Sequence, residues 1–204
     1  LGIDMCAALA VCREAGWLYV DLKPQNIHMF EDQEYRIGDL GFMPMDMLAY
    51  SSLPERYRSI YTAPEVADAY STLNTTMDTY ALGLVLYQCY NDGRLPFASR
   101  EEKAQWLAQL AAGEAIVPPV YADYELSEII LKAIALNPEE RWQSPVDMAE
   151  ALIGYMKRNG VNDVPIGPPV IEEPPVEEEP IEPEQAPEEE ETSEEVTEES
   201  AEAA

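Results

Sequence analysis

The chain has 204 residues, 47% of them hydrophobic, and a formal net charge of −28. That length allows one ordinary domain plus an appendage, with enough apolar content for a real core. Seventeen acidic and no basic residues fall in 161–204, leaving 23 acidic against 12 basic before it; this balance argues against nucleic acid as a partner, since phosphate binding needs clustered Lys and Arg.

Three cysteines, Cys6, Cys12 and Cys89, are too few and too scattered for a disulfide framework or a metal site. Buried reduced thiols in a cytosolic setting are expected. No stretch approaches 18 uninterrupted apolar residues and there is no signal peptide, so a cytoplasmic chain without a membrane segment is expected; the parent protein could be anchored outside it.

Residues 1–15 have helical apolar spacing and end before Gly16, a C-cap candidate. Leu1 falls inside this pattern, which reads as a fragment whose start has been lost. A short apolar strand at 17–19 leads into a polar loop. IHMF at 27–30 and YRIG at 35–38 are strand candidates joined by EDQE. Residues 39–65 show no sustained periodicity, and a long irregular segment in a compact domain is usually functional or mobile. Helices follow at about 76–90, from Ser99 through SREEKAQWLAQLAAGE, near 126–136 and near 145–157. Ser99 with Glu102 forms a capping-box pattern, and Ser144 caps the last helix, which Gly160 stops. The expected class is mainly α with a small β element.

From Val161 the composition changes to eight prolines, dense Glu and no aromatics. Such a segment cannot bury enough apolar surface to offset its ordering entropy. The expected division is a folded domain over 1–159 and a disordered Pro/Glu-rich acidic tail over 160–204.

The chemistry-bearing residues lie in YVDLKPQN at 19–26 and in DLG at 39–41. Phosphoryl transfer needs one carboxylate to orient a hydroxyl, a cation to neutralise transferring charge, and oxygen ligands for magnesium. Asp21 offers the first and Lys23 the second. Asn26 and Asp39 offer neutral and anionic oxygens, which suit magnesium. Pro24 stiffens the loop, and Gly41 permits the turn that brings Asp39 inward.

With these residues the sequence resembles the protein kinase family, whose catalytic loop runs His-Arg-Asp-Leu-Lys-Pro-x-Asn and whose metal loop runs Asp-Phe-Gly. Further matches occur in family order: Ala63-Pro64-Glu65, Asp78 with Gly83, Gly93 with Pro96 and Phe97, and Arg141. The resemblance covers residues 1 to about 158 and implies the family's C-terminal lobe, a helical bundle with a small β-hairpin, without the N-terminal lobe. It implies ATP and Mg2+ as cofactors, Asp21 and Lys23 as catalytic residues, and Asn26 and Asp39 as metal ligands. Lys23, Asn26, His28 and Asp39 would contact the nucleotide, His28 at the position of the adenine floor. It also implies a Glu65–Arg141 ion pair and Asp78 accepting backbone N–H groups near Tyr19 and Val20.

Tyr19-Val20 stand where the family has His-Arg, and that arginine normally holds a phosphorylated activation-loop residue. Activity independent of activation-loop phosphorylation is therefore expected, although Ser51, Ser52 and Ser59 are available. The family's activation-segment threonine falls near Arg58 or Ser59. DLKPQN looks like the serine/threonine group. The implied function is phosphoryl transfer from ATP to protein Ser/Thr hydroxyls by the parent protein, with this fragment inactive alone because the ATP clamp lies N-terminal to it. A pseudokinase or scaffold is the alternative. A protein substrate is implied, and the oligomeric state stays open.

Overall fold

The computed structural model describes residues 1–38, 41, 43–45, 53–67 and 73–160. Five α-helices and two small antiparallel sheets are present among them, so the described part is mainly α with a small β element, as expected. The acidic tail expected from 160 onward lies, apart from Gly160, outside the described residues, as do Ser51 and Ser52.

Helix α1 (Gly2–Glu14) buries Met5, Cys6, Leu9 and Cys12, a spacing of three and four residues that lines one face. Gly16 follows its end with φ +80°, a left-handed conformation open to glycine at little cost. Helix α2 (Thr76–Cys89) has every residue from Thr76 to Tyr87 buried, as expected for a helix apolar on all sides. It runs through the centre of the lobe, packed on α1 and on α4 (Tyr124–Ala133). Gly83 permits the α2–α4 approach: a Cβ there would lie 2.6 Å from the Ala133 Cβ and 2.7 Å from Ile134 Cγ2. Helix α4 turns Leu126, Ile129, Ile130 and Ala133 inward. Helix α5 (Pro145–Arg158) packs against α1 and α4.

Caps set the helix starts. Ser99 Oγ accepts from the Glu102 N–H at 3.2 Å to open α3 (Arg100–Ala111), and Ser144 Oγ accepts from the Asp147 N–H at 3.1 Å to open α5. Glu102 reaches back to the Ala98 N–H at 2.8 Å, one residue earlier than a standard capping box. Asp123 caps α4 through the Leu126 N–H at 2.9 Å, starting that helix at Tyr124, before the expected 126. Each cap is worth about 1 kcal/mol.

Strand β1 (Trp17–Leu18) pairs with β4 (Met43–Pro44), a strand inside the segment that looks irregular in sequence. Strands β2 (Ile27–Met29) and β3 (Tyr35–Ile37) form the expected hairpin, with Ile27 opposite Ile37 and His28 opposite Arg36. Of the cysteines, Cys6 and Cys12 are buried as expected, and burial raises their thiol pKa values to about 12 and about 11. Cys89 is exposed instead, because it falls on the last turn of α2, where that helix leaves the core.

Candidate active site

The loop after β1 is held from below by α2. Asp78, in the first turn of α2 and 3% exposed, accepts the Tyr19 N–H at 3.0 Å on Oδ2 and the Val20 N–H at 2.9 Å on Oδ1. Burial pushes this carboxyl up to about 6, while the two N–H donors pull it back down. Val20 has φ +61°, a left-handed conformation that a β-branched residue adopts only when its surroundings impose it. The Asp78 hydrogen bond to its N–H is one such imposition. Tyr19 is fully buried, and its hydroxyl donates to the Gly38 carbonyl, tying the loop to the end of β3.

These anchors present Asp21. Lys23 Nζ donates to Asp21 Oδ1 at 3.0 Å and to Oδ2 at 2.8 Å. A 3-10 turn over Pro24–Asn26 then brings Asn26 back, and its Nδ2 donates to the Asp21 carbonyl at 2.9 Å and to Oδ2 at 3.0 Å. Asn26 is 4% exposed, and its carbonyl accepts from the Gly38 N–H at 2.9 Å. Between them Leu22 is buried at 1% exposure and roots the loop in the core. Asp21 thus has an ammonium and an amide fixed on its carboxylate, and the Asn26 amide oxygen is left to serve as an acceptor or ligand.

Gly41 lies against this group. A Cβ there would sit 2.8 Å from the Asp21 Cβ and 2.9 Å from the Tyr19 carbonyl oxygen, so the loop and the DLG segment meet at a distance only glycine allows. His28 is exposed on β2, and its Nε2 lies 2.7 Å from where a Gly38 Cβ would be, beside the residue that precedes Asp39. Asp39 itself lies outside the described residues. Among the described residues no group of three or more His, Cys, Asp or Glu side chains could hold a metal. The side-chain oxygen that Asn26 presents is a hard donor, which fits Mg2+.

Downstream, the stretch ending in Ala63-Pro64-Glu65 is bound to the helical core. Arg141 is 1% exposed and forks onto Glu65, with Nη1 to Oε1 at 2.8 Å and Nη2 to Oε2 at 2.9 Å. Its remaining donors reach the carbonyls of Ala135 at 2.8 Å, Leu136 at 3.1 Å and Thr76 at 3.3 Å. Arg58, near the family's threonine position, turns away from the loop and donates to the Leu53 carbonyl at 2.9 Å. Lys103 on α3 is buried and donates to the carbonyls of Ile60 and Thr62. Sequence reading passed over it. The available signal was its place at the head of the inward face shared with Trp106, Leu107 and Leu110, a cation on an apolar stripe.

A family profile for the protein kinase domain matches residues 3–152. The chain belongs to the protein kinase domain family. It is 32% identical over 158 residues to the serine/threonine-protein kinase PknB of Mycolicibacterium smegmatis, covering 74% of this chain and 25% of that protein. It is 31% identical over 183 residues to the serine/threonine-protein kinase PknD of Chlamydia trachomatis serovar L2b, covering 75% and 19%. With the serine/threonine-protein kinase RUNKEL of Arabidopsis thaliana it shares 37% identity over 103 residues, 50% of this chain and 8% of that protein. The chain therefore spans a quarter or less of the length of these relatives. Among the described residues no helix is long and apolar enough to cross a membrane.

Proposed function

We propose that the protein containing this chain is a serine/threonine protein kinase that transfers a phosphoryl group from ATP to hydroxyls of a protein substrate. The observation that carries this reading is the Asp21 carboxylate with Lys23 on both its oxygens and Asn26 on its carbonyl and Oδ2. In this reading Asp21 orients the acceptor hydroxyl and takes up its proton. Lys23 offsets negative charge on the group in transit, and its present pairing keeps it within reach of that position. The Asn26 side-chain oxygen and Asp39 hold Mg2+, and His28 borders the nucleotide base beside Gly38. When bound, Mg2+ and ATP supply the charge neutralisation and the phosphoryl group.

The serine/threonine assignment is supported by the DLKPQN loop and by the likeness to the three serine/threonine-protein kinases above. Residues 160–204 are read as a solvated acidic tail following a domain over 1–159, and the setting as cytoplasmic. Tyr19-Val20 in place of His-Arg favours a second reading, a scaffold without catalysis. The discriminating experiment assays the full-length protein beside its Asp39→Asn variant on a generic basic protein substrate with Mg2+ and ATP. Transfer by the wild type and loss in the variant is expected. Equal phosphorylation by both, or none by either, overturns the enzyme reading.

A further inference from the structure

Lys103 is a lysine with 8% exposure in a helix whose neighbouring positions face solvent. Its ammonium donates to the Ile60 carbonyl at 2.8 Å and to the Thr62 carbonyl. It also lies 5.5 Å from the ring centroids of both Tyr80 and Phe97. A buried ammonium is costly unless its donors are satisfied, and here two main-chain oxygens and two aromatic faces do so. Burial lowers its pKa to about 8, Glu65 draws it up, and Arg141 and Arg100 press it down.

The partners of this lysine are not arbitrary backbone. Ser59, Tyr61, Thr62 and Ala63 line one hollow with Val20 and Leu22, the residues on either side of Asp21. Tyr61 and Thr62 thus pack beside the two residues that flank Asp21. The same stretch is folded on itself: Thr62 Oγ1 accepts from the Ser59 N–H at 2.7 Å, and the Tyr61 hydroxyl donates to Gln88 at 2.6 Å. The Tyr80 ring has Lys103 at 5.5 Å and the Arg141 guanidinium at 4.6 Å. Two buried cations sharing one ring therefore hold consecutive parts of this segment, Lys103 at 60–62 and Arg141 at Glu65.

We propose that Lys103 is a positioning residue for the acceptor side of the site, setting the carbonyls of Ile60 and Thr62 so that this segment receives the protein substrate next to Asp21. The proposal rests on the kinase reading above. Lys103 touches neither nucleotide nor reacting atoms, so its loss acts on acceptor binding rather than on ATP.

The test uses the full-length protein, its Lys103→Met variant, which keeps the unbranched stem, and Lys132→Met as a control. Lys132 also lies over an aromatic ring, Trp142 at 3.8 Å, but on α4. Two readouts are taken: separate KM values for protein substrate and for ATP, and hydrogen exchange by mass spectrometry over 57–66. Lys103→Met is expected to raise the substrate KM about tenfold, the loss of one charge-assisted contact pair, with ATP KM unchanged. Exchange at the Tyr61 and Thr62 amides is expected to quicken, while the rest of the lobe and the control do not change. Equal shifts in both KM values, or faster exchange throughout the lobe, would make Lys103 a general stabiliser and overturn the proposal. If the wild type transfers no phosphate, the kinase reading fails and exchange alone decides: unaltered protection at 60–62 then overturns the clamp as well.

Discussion

Lys23 Nζ rests 3.0 and 2.8 Å from the two carboxylate oxygens of Asp21, and the Asn26 amide adds a third contact at 3.0 Å on one of them. The carboxylate is thereby fixed in orientation yet keeps acceptor capacity on Oδ1, which has only the lysine. Asp21→Asn removes the proton acceptor and should lower kcat by about 10²–10⁴-fold, the range for a lost general base. The Lys23 and Asp21 side chains are only 26% and 12% exposed, but Asn keeps an oxygen for the lysine, so the melting temperature should fall only modestly. Steady-state kinetics beside thermal denaturation of the full-length protein checks both halves.

Glu65 and Arg141 behave differently, since their side chains are 9% and 0% exposed. Removing one partner strands the other charge inside the protein at a cost of about 3–5 kcal/mol. Glu65→Gln and Arg141→Met should each reduce unfolding stability by that amount in urea titrations. A loss under 1 kcal/mol in either would mean water reaches the pair.

Asp78 gives a pH dependence with a definite sign. Its carboxyl is raised from 3.8 to about 6 in the folded protein, chiefly by burial. The folded state therefore binds this proton more tightly than the unfolded chain does. The stabilisation is fully present below 3.8 and is lost as pH rises through about 6. Between these values wild-type stability should fall with rising pH relative to Asp78→Asn, which cannot titrate. Activity should run the other way, because protonating Asp78 weakens its hold on one of the Tyr19 and Val20 N–H groups. Parallel denaturation and rate profiles across this window check the opposition.

Gly41→Ala would drive a Cβ to 2.8 Å from the Asp21 Cβ and 2.9 Å from the Tyr19 carbonyl. The second neighbour is backbone and cannot swing aside. A displacement of Asp21 near 1 Å should cost about 10²-fold in kcat/KM. Gly38→Ala meets only the His28 imidazole, which can rotate, so its effect on catalysis should be much smaller. Kinetics of the two variants side by side makes the comparison.

Val20 is 6% exposed and carries no donor with which to hold a phosphate. Phosphatase treatment of the full-length protein should leave its transfer rate unchanged. A rate that collapses on dephosphorylation and returns on rephosphorylation would contradict this.

The loop was legible because its meaning lies in residue order: Asp21, Lys23 and Asn26 are near neighbours in the chain, and the fold has only to close a short turn around them. Glu65, Asp78 and Arg141 were legible through family spacing despite long separations. What the sequence could not carry were contacts decided by packing. Met43–Pro44 reads as loop, yet pairs with Trp17–Leu18, a long-range pairing that no local periodicity announces. Cys89 looks like part of a buried run until the helix end exposes it. Lys103 looks like a surface cation, and only the approach of residues 60–62 gives its ammonium oxygens to bond. Asp39, the second metal ligand expected from the sequence, lies outside the described residues.

Asp78 grips main-chain N–H groups, not side chains, at positions 19 and 20. Any amino acid other than proline supplies that N–H. This backbone grip is indifferent to what the two positions carry, while the Tyr19 hydroxyl adds a side-chain tie to Gly38, so Tyr-Val can stand where the family has His-Arg without the loop losing its footing. Those two positions become places where the sequence can change while the Asp21 carboxylate stays put.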